Sequence, residues 1–457
     1  MVECRMRRNS GRLGSKKGPE QRVPVLTRLP TRIETRLLVP AILAALLFPV
    51  AQWVFPTPAS VGDAYGYLMT AQRMLEDGYY AYGHDPPGSE LPPNARVTPG
   101  WPLALAAVLA LPDGDSSDPE GWAQRARIPI MMMMGLFTVG IVLASTLSAR
   151  ILAGDGTGVI AGYLSLLYLP FHWAGSVTLA EHMGAFVLAW AFYAGLRLTV
   201  RDRQRTVVAA AVLGMLCAVL VLVRPNLALW SFVPIVYAAA MRLEPPLRLV
   251  RLGLAGALGF TLVMAPWWAR NAVVTGRFIP VKSNYTAAQP AELDAVDAAG
   301  ANSPAAPVDA PDGLADDVSS GWEHTDLSMV LLRASVPWMP FFDVAWEETY
   351  RPDSVRIEYP ERPAAPVPLA NFLTGTMTVY HRMVLLLALV SLLYVRRFPQ
   401  VALLLGAPAA LLAIHWSHVT IRYFYPPMVA IVLMAAVGVW SVSRTLGARD
   451  PSMGYDT

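Results

Sequence analysis

The sequence predicts an all-α integral membrane protein, a bundle of about ten transmembrane helices with shorter interfacial helices in its first outer loop. Three observations predict it. Only 15% of the 457 residues are charged while 54% are hydrophobic, where a soluble domain carries roughly 25% charged residues. Apolar runs of about the length that crosses a bilayer, roughly 20 residues, recur along the chain. The segments between them alternate between basic and acidic character, as the positive-inside rule requires. The mean hydropathy of +0.41 agrees; the net charge of +3 says little by itself, because the arrangement of the charges matters more than their sum, and no nucleic-acid partner is expected.

Taken in order, residues 1–35 are a basic tail without a cleavable secretory signal, so the first apolar run reads as a retained anchor. The runs lie at 36–55, 126–149, 156–173, 177–198, 206–223, 226–241, 249–268, 371–395, 399–416 and 423–443. After the first comes "VGDAYGYLMTAQRMLEDGYY", which predicts one short helix. Asp63 stands at its N-cap, Tyr65, Leu68, Met69, Gln72 and Leu75 line one side, and Gly78 is placed to end it in a left-handed cap. "WPLALAAVLALP" (101–112) is too short to span and is bounded by prolines, so it reads as a second interfacial helix. With the N-terminus inside, "SARILAGDG", "RLTVRDRQR", "MRLEPPLRLVR", "YVRRFPQ" and "SRTLGARD" all fall on the cytoplasmic side, and each carries arginine. Two long acidic, proline-rich loops, about 56–125 and about 269–370, fall outside. The second has an Ala/Asp/Pro/Ser-rich insert at about 286–320 that reads as flexible. The membrane domain is therefore 36–443, followed by a second cytoplasmic tail at 444–457. Cys4 and Cys217 sit too differently to form a disulfide framework.

Ionisable residues at or within spans cost about 2.5–3.5 kcal/mol at a helix centre and so are candidate functional groups. Here they gather at the outer ends of spans. Asp63 follows the first, Glu181 and His182 open the fourth, and Arg224 lies between the fifth and sixth. Arg270 closes the seventh, and His415, His418 and Arg422 surround the turn between the last two. Each has a plainer explanation: Arg224 and Arg270 as lipid snorkels, Asp63 as a helix cap, His182 as a packed side chain. His415 and His418 lack a nearby carboxylate pair for a metal and suit interfacial hydrogen bonding. Glu181 must pair with a cation, bind something or protonate.

This arrangement resembles the polytopic GT-C glycosyltransferases, in particular the bacterial family-39-like enzymes related to protein O-mannosyltransferases and the lipid A aminoarabinose transferase. Their pattern of an Asp, a Tyr a few residues on, a helix ending near Gly and then Pro-Gly-x-Pro is met by Asp63, Tyr67, Gly78 and Pro99-Gly100-Trp101-Pro102. The resemblance continues through "LAEHMGAF", "VRPNLALW", "APWWARNAVVTGRFIPVKSN" and "RYFYPPMVAIVL", and so covers about 36–443. It implies a GT-C fold and transfer of a sugar from a polyprenyl phosphate or diphosphate to a glycan, lipid or protein acceptor on the outer face.

On that resemblance Asp63 is the general base, Tyr67 and Glu181 bind substrate, and Arg270 and Arg422 stabilise the leaving phosphate, with Arg224 and Lys282 behind them. Attack by a single acceptor implies inversion at the anomeric carbon. Many relatives have an acidic pair where this chain has Gly62-Asp63-Ala64. The base is thereby narrowed to one carboxylate, no metal is argued by the spacing, and a divalent ion stays open as a cofactor. Two other classes put charges in spans. A transporter or flippase would spread them through the bilayer across inverted repeats, whereas these cluster at one face. An O-antigen-type ligase or polymerase would carry its chemistry in one late outer loop.

Cysteines introduced singly at Ser89 and Ser319 are expected to react with an impermeant thiol reagent in intact cells, and one at Thr206 is not. Labelling at position 206 would reverse the orientation.

Overall fold

The structure is a computed structural model that describes residues 32–54, 63–110, 119–174, 178–198, 206–232, 246–282, 367–402, 404–406, 408 and 425–447. It consists of α1 (Arg32–Val54), α2 (Asp63–Glu76), α3 (Gly100–Leu109), α4 (Pro119–Ala153), α5 (Asp155–Leu167), α6 (Leu169–Trp173), α7 (Ala180–Leu198) and α8 (Thr206–Val223). A 3-10 helix (Pro225–Phe232) precedes α9 (Pro246–Thr275), α10 (Val367–Leu392) and α11 (Met428–Gly447). No β-strand occurs among the described residues, so the all-α fold class stands.

Among the described residues four helices are long and apolar enough to cross a bilayer, over Ile128–Ala153, Leu247–Thr275, Gly375–Leu392 and Met428–Leu446. The apolar stretches of α1 and α8, Thr35–Pro49 and Val207–Val223, are shorter. On α9 a row of leucines at i, i+4, i+8 (Leu254, Leu258, Leu262) is 64–71% exposed. Such a row suits contact with lipid. The bundle's main core lies where α4, α5, α7, α8, α10 and α11 meet, around Ile141, Phe192, Leu220, Val384 and Leu433.

The expected span 156–173 is not one helix. It breaks at Tyr168, where ψ turns to 85° between α5 and α6. Pro170 is the cause: it has no N–H to offer the carbonyl of Leu166 four residues earlier, and its ring would clash there. The orphaned carbonyl is satisfied instead by the buried His172, whose Nε2 lies 2.9 Å from Leu166 O. Helix α2 appears where expected, and Gly78 ends it with φ +74°. Its inward face differs. Ala64, Gly66, Tyr67, Leu68, Thr70, Ala71, Gln72 and Arg73 are buried, whereas Leu75 is 44% exposed. The helix is turned so that Arg73 faces inward, for a reason given below. Most of the expected span 226–241, the second half of 399–416, the insert 286–320, His415, His418, Arg422 and most of both tails lie outside the described residues.

Small residues set the tightest helix contact. A Cβ on Gly214 of α8 would run into the Gly256 carbonyl of α9, and one on Gly259 would meet that of Ala211. Gly214→Leu is therefore expected to destabilise the protein by about 1–3 kcal/mol. Gly253→Ala, on the same α9 with nothing within 4 Å of its added methyl, is expected to be neutral or stabilising by up to about 1 kcal/mol. Thermal unfolding of both variants in detergent checks this pair.

Candidate functional site

Between α2 and α3 the chain runs through residues 77–99 without regular structure, yet Tyr80, Ala81, Asn94, Ala95, Thr98 and Pro99 are buried. Backbone carbonyls in such a segment need donors. Arg73, fully buried on α2, supplies one set. Its Nη1 donates to Ala81 O (3.1 Å) and its Nη2 to Asp85 O, Pro86 O and Ser89 Oγ (2.9–3.2 Å). Asp77 balances the charge, 3.7 Å from Nε. This gathering of carbonyls turns Arg73 inward and rotates α2 from the orientation its apolar pattern suggests.

Arg270, near the end of α9, supplies the other set. Its Nη1 donates to Asn94 O (2.8 Å) and to Asn271 Oδ1 (3.0 Å), and its Nη2 to Tyr80 O (2.6 Å). The guanidinium lies 5.3 Å from the ring centroids of both Tyr80 and Trp267, within cation–π range. Burial pushes the Tyr80 hydroxyl well above the usual tyrosine range, with Tyr67 adding and Arg270 opposing. It therefore stays a donor, to Val97 O at 2.8 Å. The α9 end is itself folded back on: Trp267 Nε1 donates to Val281 O, Trp268 Nε1 to Pro280 O and Asn271 Nδ2 to Ile279 O, at 2.8–3.1 Å. Lys282 follows and is exposed.

Asp63 opens α2, half-buried. The Tyr82 hydroxyl donates to its Oδ1 in a long contact of 3.5 Å. Tyr82 reaches it because Gly66, one turn along, has no side chain: a Cβ there would meet the Tyr82 hydroxyl at 2.8 Å. The backbone of Tyr82 is clasped on both sides by the buried Asn94, whose Oδ1 accepts from Tyr82 N and whose Nδ2 donates to Tyr82 O, each at 3.2 Å. Tyr67 and His84 flank the Tyr82 ring, at 5.7 and 5.9 Å between centroids. Tyr65 stacks on His84 at 6.3 Å.

Glu181 opens α7, 1% exposed, and forms an ion pair with Arg224, just past α8. Gly184 leaves room for the arginine stem, which a Cβ would meet at 3.2 Å. The Pro99-Gly100-Trp101-Pro102 segment braces both partners. The indole of Trp101 donates to Thr178 O (3.1 Å), three residues before Glu181. A Cβ on Gly100 would strike the backbone of Leu222, two residues before Arg224, at 2.7 Å. The neighbouring His182 is fully buried. Its Nε2 donates to Met134 O (3.1 Å), which can only accept, so its Nδ1 accepts from the Tyr425 hydroxyl (2.8 Å). That fastens α7 to the residues leading into α11.

These groups sit at one end of the bundle. Tyr67, Leu68 and Ala71 of α2 share an apolar cluster with Trp101, Ala180 and Val223, the last two being chain neighbours of Glu181 and Arg224. Tyr80 and Ala95 of the loop share another with Leu222, Trp267 and Ile279. The structure thus gathers Asp63, Tyr67, Glu181, Arg224 and Arg270 at one end, with Lys282 close in sequence to the folded-back end of α9. Arg422 lies outside the described residues. Arg73, Tyr82, Asn94 and Tyr425 were not singled out by sequence reasoning, and Trp101 only as the variable position of Pro99-Gly100-Trp101-Pro102. Only the dense aromatic string "YYAYGH" after Gly78 and the tryptophan inside Pro-Gly-Trp-Pro gave a signal.

Among the described residues no group of three or more His, Cys, Asp and Glu side chains comes together. The chemistry below assigns no step to a metal.

No family model and no curated protein sequence matches the chain. Solved structures do. The apo oligosaccharyltransferase of Archaeoglobus fulgidus superposes with a TM-score of 0.53 at 15% identity, over 93% of this chain and 52% of that one. The same enzyme, AglB, in complex with an inhibitory peptide and a dolichol-phosphate gives 0.51 at 15% identity over 93% and 52%. ArnT from Cupriavidus metallidurans bound to undecaprenyl phosphate gives 0.43 at 15% identity over 90% and 78%, a score too low to argue from. The chain spans about half the length of the archaeal enzyme. At these identities the likeness shows the fold alone: this chain shares the all-α membrane bundle of the archaeal enzyme.

The Glu181–Arg224 pair yields a stability test. Glu181→Ala leaves a guanidinium facing a nearly dry site and is expected to cost about 3–5 kcal/mol. Combining Glu181→Leu with Arg224→Met removes both charges and is expected to recover most of that loss in thermal unfolding.

Proposed function

We propose that this protein is an inverting glycosyltransferase that takes a sugar from a polyprenyl-phosphate donor and passes it to an acceptor hydroxyl at the outer face of the membrane. The observation that supports it most is the lone carboxylate of Asp63, held at the head of α2 by an ordered loop and gathered with the Glu181–Arg224 pair at one end of a GT-C bundle. The donor class follows the archaeal oligosaccharyltransferase, one of whose structures contains a dolichol-phosphate.

In this reading the acceptor oxygen attacks the anomeric carbon as the bond from that carbon to the phosphate oxygen breaks. The electron pair leaves on the phosphate, and the acceptor's proton passes to Asp63. The phosphate gains charge in the transition state, so fixed cations beside it lower the barrier. Arg422 and Arg270 fill that role, with Arg224 and Lys282 contributing to the field. Arg270 spends three donor hydrogens on Asn94, Asn271 and Tyr80; a guanidinium has five, which leaves two for a phosphate. Glu181, held by Arg224, orients that arginine or binds sugar hydroxyls, and Tyr67 contributes to substrate binding. The acceptor is a glycan, lipid or protein presented from outside.

Asp63→Asn separates catalysis from capping. Asn caps a helix about as well as Asp, so a purely structural Asp63 predicts near-wild-type transfer. As a general base its loss is expected to lower transfer by roughly 100- to 10,000-fold at equal folded concentration. The assay is transfer of a labelled sugar from a polyprenyl phosphate by purified protein, and activity within about threefold of wild type sinks the assignment.

A further inference from the structure

Tyr82 and Asn94 of the first loop have no part in the chemistry above, yet with Arg270 of α9 they form one continuous path to Asp63. Arg270 holds the carbonyls of Tyr80 and Asn94. Asn94 clasps the backbone N–H and carbonyl of Tyr82. Tyr82 extends its hydroxyl over Gly66 to the Asp63 carboxylate. We propose that Tyr82 is a positioning residue for Asp63, and that Arg270, besides its place beside the phosphate, acts on catalysis through this path, by fixing the loop that presents Tyr82. The inference rests on the reading of Asp63 as the base.

The physical case has three parts. A tyrosine hydroxyl donating to one carboxylate oxygen fixes the plane of the carboxylate and directs the other oxygen toward an incoming acceptor. The resting contact is long at 3.5 Å, as catalytic hydrogen bonds often are before substrate binds. Tyr82 can hold that pose only if its backbone is immobile, and in a loop without regular structure the immobility must come from side chains. Asn94 is 0% exposed, so its two bonds to Tyr82 are shielded from water, and the carbonyl of Asn94 is itself held by Arg270 at 2.8 Å. Gly66 completes the arrangement, because any side chain there would displace the phenol. The path thus ties the base to α9, a helix of the bundle, rather than to the loop alone.

The test uses the purified full chain with two readouts: transfer of a labelled sugar from a polyprenyl phosphate, and amide hydrogen exchange over 79–97. Tyr82→Phe removes one hydroxyl and keeps the ring, and is expected to lower kcat about tenfold with donor KM within about twofold. Asn94→Ala and Arg270→Ala are expected to lower kcat likewise and to speed exchange over 79–97 by about tenfold or more. The decisive variant is Tyr82→Phe with Arg270→Ala. If Arg270 works through Tyr82, the double variant is hardly worse than Arg270→Ala alone. Multiplicative losses, with Arg270→Ala acting on donor KM and leaving exchange unchanged, overturn the path and leave Arg270 a donor ligand. Tyr82→Phe at wild-type kcat overturns the role of Tyr82. Should Arg270→Ala not fold, Arg270→Lys takes its place, since an ammonium cannot hold two carbonyls in one fork. Arg96→Ala, exposed on the same loop, should move neither readout. A wild type that transfers no sugar overturns the glycosyltransferase reading itself, whereas a wild type that transfers equally well as Tyr82→Phe overturns only this inference.

Discussion

A buried carbonyl without a donor costs about as much as a lost hydrogen bond or more, and this constraint governs the working end of the molecule. The segment between α2 and α3 has neither helix nor strand to satisfy its backbone. Two guanidiniums do it instead, Arg73 from α2 and Arg270 from α9. An arginine suits the task because its donors are numerous, fixed in one plane and charged at every accessible pH. One side chain can therefore organise several carbonyls at once. The consequence is mechanical: the loop is fastened to two helices, and the residues it carries inherit the rigidity of both.

The same constraint explains what the sequence could and could not disclose. The existence of α2 and its end at Gly78 follow from local rules, a polar first residue and a glycine able to take positive φ. The gathering of charges at one end follows from counting spans, since antiparallel neighbours bring alternate helix ends together. The inward face of α2 does not follow, because Arg73 looks like a solvent-facing residue until the carbonyls of Ala81, Asp85 and Pro86 are placed around it. Those partners are backbone atoms, which carry no residue-type signature. The break at Tyr168 lies between these extremes. Pro170 is plain in the sequence, but the histidine that takes up the carbonyl it orphans is recognisable only once both are in place.

Arg270, singled out in the sequence for its place at a span end, has a second use in the structure. Its position at a span end marked it as a phosphate ligand or a lipid snorkel. In the structure it is first a fastener, wedged between Tyr80 and Trp267 and bonded to two loop carbonyls. These roles reinforce one another. A cation already immobilised by carbonyls and aromatic faces needs little reorganisation to meet a phosphate, and preorganisation of this kind makes electrostatic stabilisation effective. The same logic covers Arg224, which Glu181 holds in place.

Three helical glycines give this end of the bundle its shape. A glycine in a helix costs roughly 1 kcal/mol against alanine, so its presence requires a compensating contact. Gly66 makes way for the phenol of Tyr82, Gly184 for the stem of Arg224, and Gly100 for the backbone that leads into Arg224. In each case the space opened on one helix is filled by a polar side chain, or by the turn that carries one, from another part of the chain. The local loss in helix stability is offset by a hydrogen bond or ion pair that could not otherwise form. Glycines at these positions are thus part of the site as much as the residues they admit, because a methyl group at any of the three would displace a group that orients Asp63 or the arginines.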